Sequence, residues 1–124
     1  MTTFNDLPSE LKNLILLHYC YNAEAEWYAY LAQAASMSIY HASVTFEHKI
    51  ETIACAIPKM HGGLIQVLGY RQRQYTTLIP ETRQVLNQQE TTEPRQRLAS
   101  RYLKLRVMSS ILKRLQISLR EREQ

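Results

Sequence analysis

The sequence predicts an all-α protein, a single-domain bundle of about five to six helices that ends in a long amphipathic helix. Three observations predict it. Apolar residues recur at steps of three and four along most of the chain, and no stretch shows the alternation of a half-buried strand. Glycine and proline are scarce, with 3 and 4 copies, and they cluster where helices would start or stop. A 45% apolar content over 124 residues suffices for one real core but leaves two independent domains cramped.

The first helix begins near Pro8, at a first-turn position where its missing N–H costs nothing, and Glu10 meets the positive helix end. Leu11, Leu14, Ile15 and His18 follow the spacing i, i+3, i+4, i+7 and predict its buried face. Leu16 and Leu17 fall outside that stripe, so the helix is apolar on more than one side. Either the rest of the chain wraps both sides, or one side is left for another protein.

Tyr19 to Asn22 reads as a short connection, with Asn22 capping a second helix that carries Glu24 and Glu26 in its first turn. Trp27, Tyr30, Leu31, Ala34, Met37, Tyr40, His41 and Val44 line one face of that helix. Ser43, Val44 and Thr45 form its weakest stretch, where a bend is expected before a third segment from Phe46 to Ile57. Pro58 to Gly63 reads as the clearest loop. A fourth helix follows on Leu64, Ile65, Leu68, Gln72, Tyr75 and Ile79, slightly weakened by Gly69, with Arg71 and Arg73 away from the stripe. Pro80 marks a break before a short helix from Glu81 to Gln89, and residues 90–94 read as an exposed linker.

The last helix starts at Pro94 or Arg95. Leu98, Tyr102, Leu105, Ser109, Leu112, Gln116 and Leu119 form its seam, widened by Met108 and Leu115. Two polar positions make this a weak zipper, and the wide stripe suits packing onto a core.

Charge is unevenly distributed. Residues 1–57 carry two basic against six acidic side chains, whereas residues 95–124 carry nine basic against two acidic ones. The two ends either attract each other in the fold or leave a basic surface for an acidic partner. Arg95, Arg106, Lys113 and Arg120 line one flank of the last helix and are the candidate basic surface. Tyr70, Arg71, Arg73 and Tyr75 add basic and aromatic groups. No recognition-helix motif accompanies them, so nucleic-acid binding is the weaker expectation.

No run reaches about 18 apolar residues, and the N-terminus is acidic where a signal peptide is basic. An intracellular protein, cytoplasmic or nuclear and without a membrane span, is expected. Cys20 and Cys55 lack C-x-x-C spacing and read as buried thiols in a reducing compartment.

Catalytic constellations are thin. Three glycines, Gly62, Gly63 and Gly69, build neither a dinucleotide fingerprint nor a phosphate loop, and no nucleophile elbow is present. His41, His48 and Cys55 are seven apart, roughly 10 Å along a helix, too far to share one metal, and read as core or boundary residues. Glu47, His48 and Glu51 read as a solvated acidic face. The expectation is a non-enzyme without metal or cofactor.

Leu7-Pro8, Glu10-Leu11 and Ile15-Leu16 reproduce the pattern L-P-x-E-L-x-x-x-I-L, and this stretch resembles an F-box-like domain of the short fungal type. Leu31-Ala32 and Ser36 to Ala42 resemble the later helix of such segments, so the likeness covers residues 1–45. The chain departs from the pattern in having Asn22 to Trp27 where an acidic-leucine step is usual, and no tryptophan after Trp27. The resemblance implies a helical adaptor that docks a Skp-type subunit of a cullin ubiquitin ligase, with Leu7, Pro8, Leu11, Ile15 and Leu16 as contacts. The rival reading is a helical structural protein that self-associates through its C-terminal helix.

Overall fold

The computed structural model describes residues 4–33, 38–57 and 61–122. After a single 3-10 turn at Phe4–Asp6, four α-helices follow: α1 (Ser9–Gln33), α2 (Ser38–Ala56), α3 (His61–Gln88) and α4 (Thr92–Arg122). There is no strand among the described residues. The all-α class holds, but four long helices replace the expected five to six.

Each difference has a local cause. The Leu7 N–H bonds the Phe4 carbonyl at 3.2 Å and the Lys12 N–H bonds the Pro8 carbonyl at 3.1 Å, so α1 starts where Pro8 predicts. It then runs through Tyr19 to Asn22 without a break. Asn22 is a competent cap, but one cap signal does not stop a helix whose next turns bury Ala23, Glu24 and Trp27. Likewise α2 passes through Ser43, Val44 and Thr45, where the hydroxyls of Ser43 and Thr45 fold back onto the carbonyls four residues earlier, at 2.6 and 2.9 Å. Of the expected loop from Pro58 to Gly63, residues 58–60 lie outside the described residues, as do Ala34 and Met37 of the expected second-helix face. His61, Gly62 and Gly63 open α3, with the His61 Nε2 at 2.9 Å from the Ala54 carbonyl of α2.

Pro80 lies inside α3 instead of ending it. It removes the N–H that would bond the Thr76 carbonyl, a cost of about 3 kcal/mol in a helix interior. Burial on both sides of it, at Tyr75 and Thr82, holds the helix together. The expected linker shrinks to residues 89–91, because the Arg95 N–H bonds the Thr91 carbonyl at 3.2 Å and places Pro94 in the first turn of α4, where no N–H is needed.

Paired contacts give the topology. Tyr19 meets Lys49 and Trp27 meets Ser43, so α1 and α2 are antiparallel. Glu24 meets Arg71 and Tyr28 meets Tyr75, so α1 and α3 are parallel. Glu47 and Glu51 meet Arg114 and Arg122, so α2 and α4 are parallel. The neighbours in space are α1 with α2, α1 with α3, α2 with α4, and most extensively α3 with α4. The result is an up-down-up-down four-helix bundle.

The core joins Leu16, Cys20 and Trp27 of α1, Phe46 and Ile50 of α2, Leu64, Leu68 and Tyr75 of α3, and Met108, Ile111, Leu112, Leu115 and Leu119 of α4. Gly69 eases the approach of α3 and α4, since a Cβ there would sit 3.1 Å from the Gln116 Oε1 and that side chain would have to give by a few tenths of an ångström. Gln116 in turn donates to the Gln72 Oε1 at 2.6 Å, pairing two seam amides across the interface. The helices differ in length, and this shapes one end of the molecule. Between Thr82 and Leu105 no described residue is buried, so the ends of α3 and α4 continue as a two-helix arm.

Candidate docking face and its surroundings

The buried stripe of α1 is Leu16, Cys20, Ala23, Glu24, Trp27 and Leu31, not the expected Leu11, Leu14, Ile15 and His18. Those four face outward, with Leu11 46%, Leu14 59% and Ile15 45% exposed. The surplus apolar surface of this helix is therefore divided: one side builds the core and the other meets solvent. Beside the exposed side runs an apolar groove of about 450 Å³ between α1 and α3, lined by Leu14, Leu17, Val67 and Tyr70, with Glu10, Asn13 and Gln66 at its margins.

The residues carried by the F-box resemblance do not share one surface. Pro8, Leu11 and Ile15 are exposed and Leu7 is half-buried, but Leu16 is only 1% exposed and belongs to the core. Leu16 is thus removed from the contact set. Leu14, which the pattern treats as variable, is the most exposed leucine of the helix. Its exposure is invisible to periodicity, because residues 14 to 17 are all apolar.

Glu24, expected in the first turn of a second helix, lies instead inside α1, is 3% exposed and anchors α1 to α3. Arg71 donates to it from Nε at 2.8 Å and Nη2 at 2.7 Å, and the Tyr75 hydroxyl donates at 2.5 Å. The Tyr28 hydroxyl donates to the Tyr75 oxygen at 3.0 Å, and the Arg71 guanidinium stacks 4.2 Å from the Tyr21 ring centre. Arg71 is therefore not off the stripe, as its spacing suggests, but half-buried within this network. Burial works against its charge, yet the Glu24 carboxylate outweighs burial and raises its pKa further. Burial first, and Glu24 second, pushes the Tyr75 phenol far above its ordinary range, and burial also raises Tyr28. Burial lifts the Cys20 thiol to about 12, so it stays protonated and unreactive at neutral pH. Cys55, also expected to be buried, is exposed.

The acidic and basic ends of the chain meet in the fold. Arg114 pairs with Glu47 at 2.8 Å and Arg122 with Glu51 at 3.3 Å, while Lys49 pairs with Glu26. Glu47 and Glu51 are thus half-buried partners of α4 and not a freely solvated face. His41 and His48 are exposed instead of lying in the core or at its boundary, and no group of three metal-ligating side chains gathers among the described residues.

On α4 the expected seam is buried or half-buried throughout, and Met108 and Leu115 widen it as expected. Arg95, Arg106, Lys113 and Arg120 all project from its outer side. Arg106 lies 5.6 Å from the Tyr102 ring centre, and Arg95 donates to the Gln89 carbonyl at 3.3 Å. They form an open basic row. Arg73 and Tyr70 are exposed on α3, while Tyr75 is buried. No helix among the described residues is long and apolar enough to cross a membrane.

No family model, no curated protein and no solved structure matches the chain.

Proposed function

We infer that this protein is a non-catalytic interaction module that docks a protein partner through the outer face of α1. The observation carrying this reading is the row Leu11, Leu14 and Ile15, each close to half exposed or more, on the helix that also supplies the core. Leaving these three side chains about half exposed forgoes roughly 1 kcal/mol of burial each, and the adjoining groove continues the apolar surface onto Val67 and Tyr70. An amphipathic groove-and-ridge of this kind suits a partner helix.

The F-box resemblance names a partner class for this face: a Skp-type adaptor, met by Leu7, Pro8, Leu11 and Ile15 at the start of α1. Co-purification of the two proteins, lost on Ile15→Asp while the helical signal and melting transition persist, is the expected result. Failure of the unmodified chain to bind the adaptor overturns the ubiquitin-ligase role.

The second reading, self-association through the C-terminal helix, is less favoured, because the Leu105 to Leu119 part of its seam is buried against this chain's own helices. Sedimentation as a dimer that dissociates on seam substitution would restore it.

A further inference from the structure

The line of the buried stripe on α4 runs on past the end of the bundle, but not as apolar residues. Leu119, Leu115, Leu112 and Met108 succeed one another at steps of three and four, and the same steps lead on to Lys104, Arg101 and Arg97. Three cations thus occupy the helix face that three turns later is core. At this level α4 has left the core for the arm, and these cations edge a pocket of about 550 Å³. Its apolar wall is Tyr28, Tyr75, Leu78 and Leu105.

The charge around this pocket is unbalanced. Arg114 and Arg122 each have a carboxylate from α2, whereas Arg97, Arg101 and Lys104 have none among the described residues. The nearby Glu24 is saturated by Arg71 and Tyr75. Like charges at i, i+4 oppose helix formation, so the row is costly without a counter-charge. It also lies half a turn from the outer basic row of Arg106 and Lys113, at 100° per residue, which separates it from ordinary surface cations. A one-signed cleft with a low-dielectric wall concentrates field on its interior. The comparable groove between α1 and α2 has no such bias, because Lys49 and Glu26 cancel across it.

We propose that this pocket binds a small amphipathic anion, an apolar chain or ring ending in one carboxylate or phosphate head. The head lies among Arg97, Arg101 and Lys104, and the apolar body lies along Tyr28, Leu78 and Leu105. The site is independent of the α1 docking face.

The test is titration of the full chain with anilinonaphthalene sulfonate, a fluorescent amphipathic anion. Saturable one-to-one binding is expected. Dodecanoate or dodecyl phosphate should displace the probe, and whichever competes better identifies the head. Dodecyltrimethylammonium and inorganic phosphate should not displace it. The double variant Arg97→Gln/Arg101→Gln should weaken binding about tenfold or more, and Ser100→Phe, at the exposed mouth, should block it. Arg106→Gln/Lys113→Gln removes the same charge from the outer row and should leave binding within about twofold. Leu14→Ser should also leave it unchanged, which separates this pocket from the α1 face. Absence of saturable binding, equal displacement by the cationic amphiphile, or equal losses in the two double variants overturns the proposal.

Discussion

Arg71 holds Glu24 with two nitrogens, Nε at 2.8 Å and Nη2 at 2.7 Å, and this ion pair is the polar bolt between α1 and α3. Removing one partner leaves the other charge buried and unpaired. Glu24→Ala should therefore destabilise the fold by about 3–5 kcal/mol. The double variant Glu24→Leu/Arg71→Met should lose clearly less, because both charges go together. Urea unfolding of the three proteins checks this, and equal losses in single and double variants would contradict it.

Cys20 gives a pH dependence of definite sign. Its thiol is raised from 9.0 to about 12, so the folded state holds the proton more tightly than the unfolded state. Its contribution is complete below pH 9 and is lost as pH rises towards 12, by roughly 2–3 kcal/mol at pH 11. Tyr75 and Tyr28, also raised, act in the same direction. The urea midpoint should fall between pH 8.5 and pH 11, as read at about those two values. Cys20→Ala should flatten that fall even though it lowers stability at pH 8, and an unchanged slope would count against the assignment.

Leu16 and Leu14 are two residues apart on α1 and lie on opposite sides of it. Leu16→Ala should cost about 2–5 kcal/mol by opening a cavity, whereas Leu14→Ser should stay within about 0.5 kcal/mol. Thermal melts of both variants decide whether the faces of α1 are assigned correctly.

Pro80 interrupts the hydrogen bonding of α3 from an exposed position. Pro80→Ala restores the bond to the Thr76 carbonyl and should stabilise the protein by about 1–3 kcal/mol. A drop in the denaturation midpoint would show that the proline serves the local geometry.

The sequence read well where periodicity was long and unambiguous. The seam from Leu98 to Leu119 and the stripe from Leu64 to Ile79 are buried or half-buried at every position named for them. It read poorly where local signals opposed packing. Asn22 and Pro80 are legitimate helix boundary signals, yet the helices that contain them bury enough side chain on either side to run on. In α1 the failure was one of degeneracy: four consecutive apolar residues from Leu14 to Leu17 satisfy more than one face, so spacing cannot say which side is core. Glu24 and Arg71 are 47 positions apart and find each other only through the fold. Arg97, Arg101 and Lys104 count in the basic total, but that they stand in line with Met108, Leu112 and Leu115 shows only once the length of α4 and the end of the core are known.

The docking role proposed for the outer face of α1 rests on the exposure of Leu11, Leu14 and Ile15. Calorimetric titration of the purified chain with a Skp-type adaptor tests it most directly, using the unmodified protein, Ile15→Asp and Arg106→Gln. Saturable binding is expected for the unmodified protein and for Arg106→Gln, with a loss of about tenfold or more for Ile15→Asp while its melting transition stays intact. Absence of binding by the unmodified protein, or equal binding by Ile15→Asp, would contradict it.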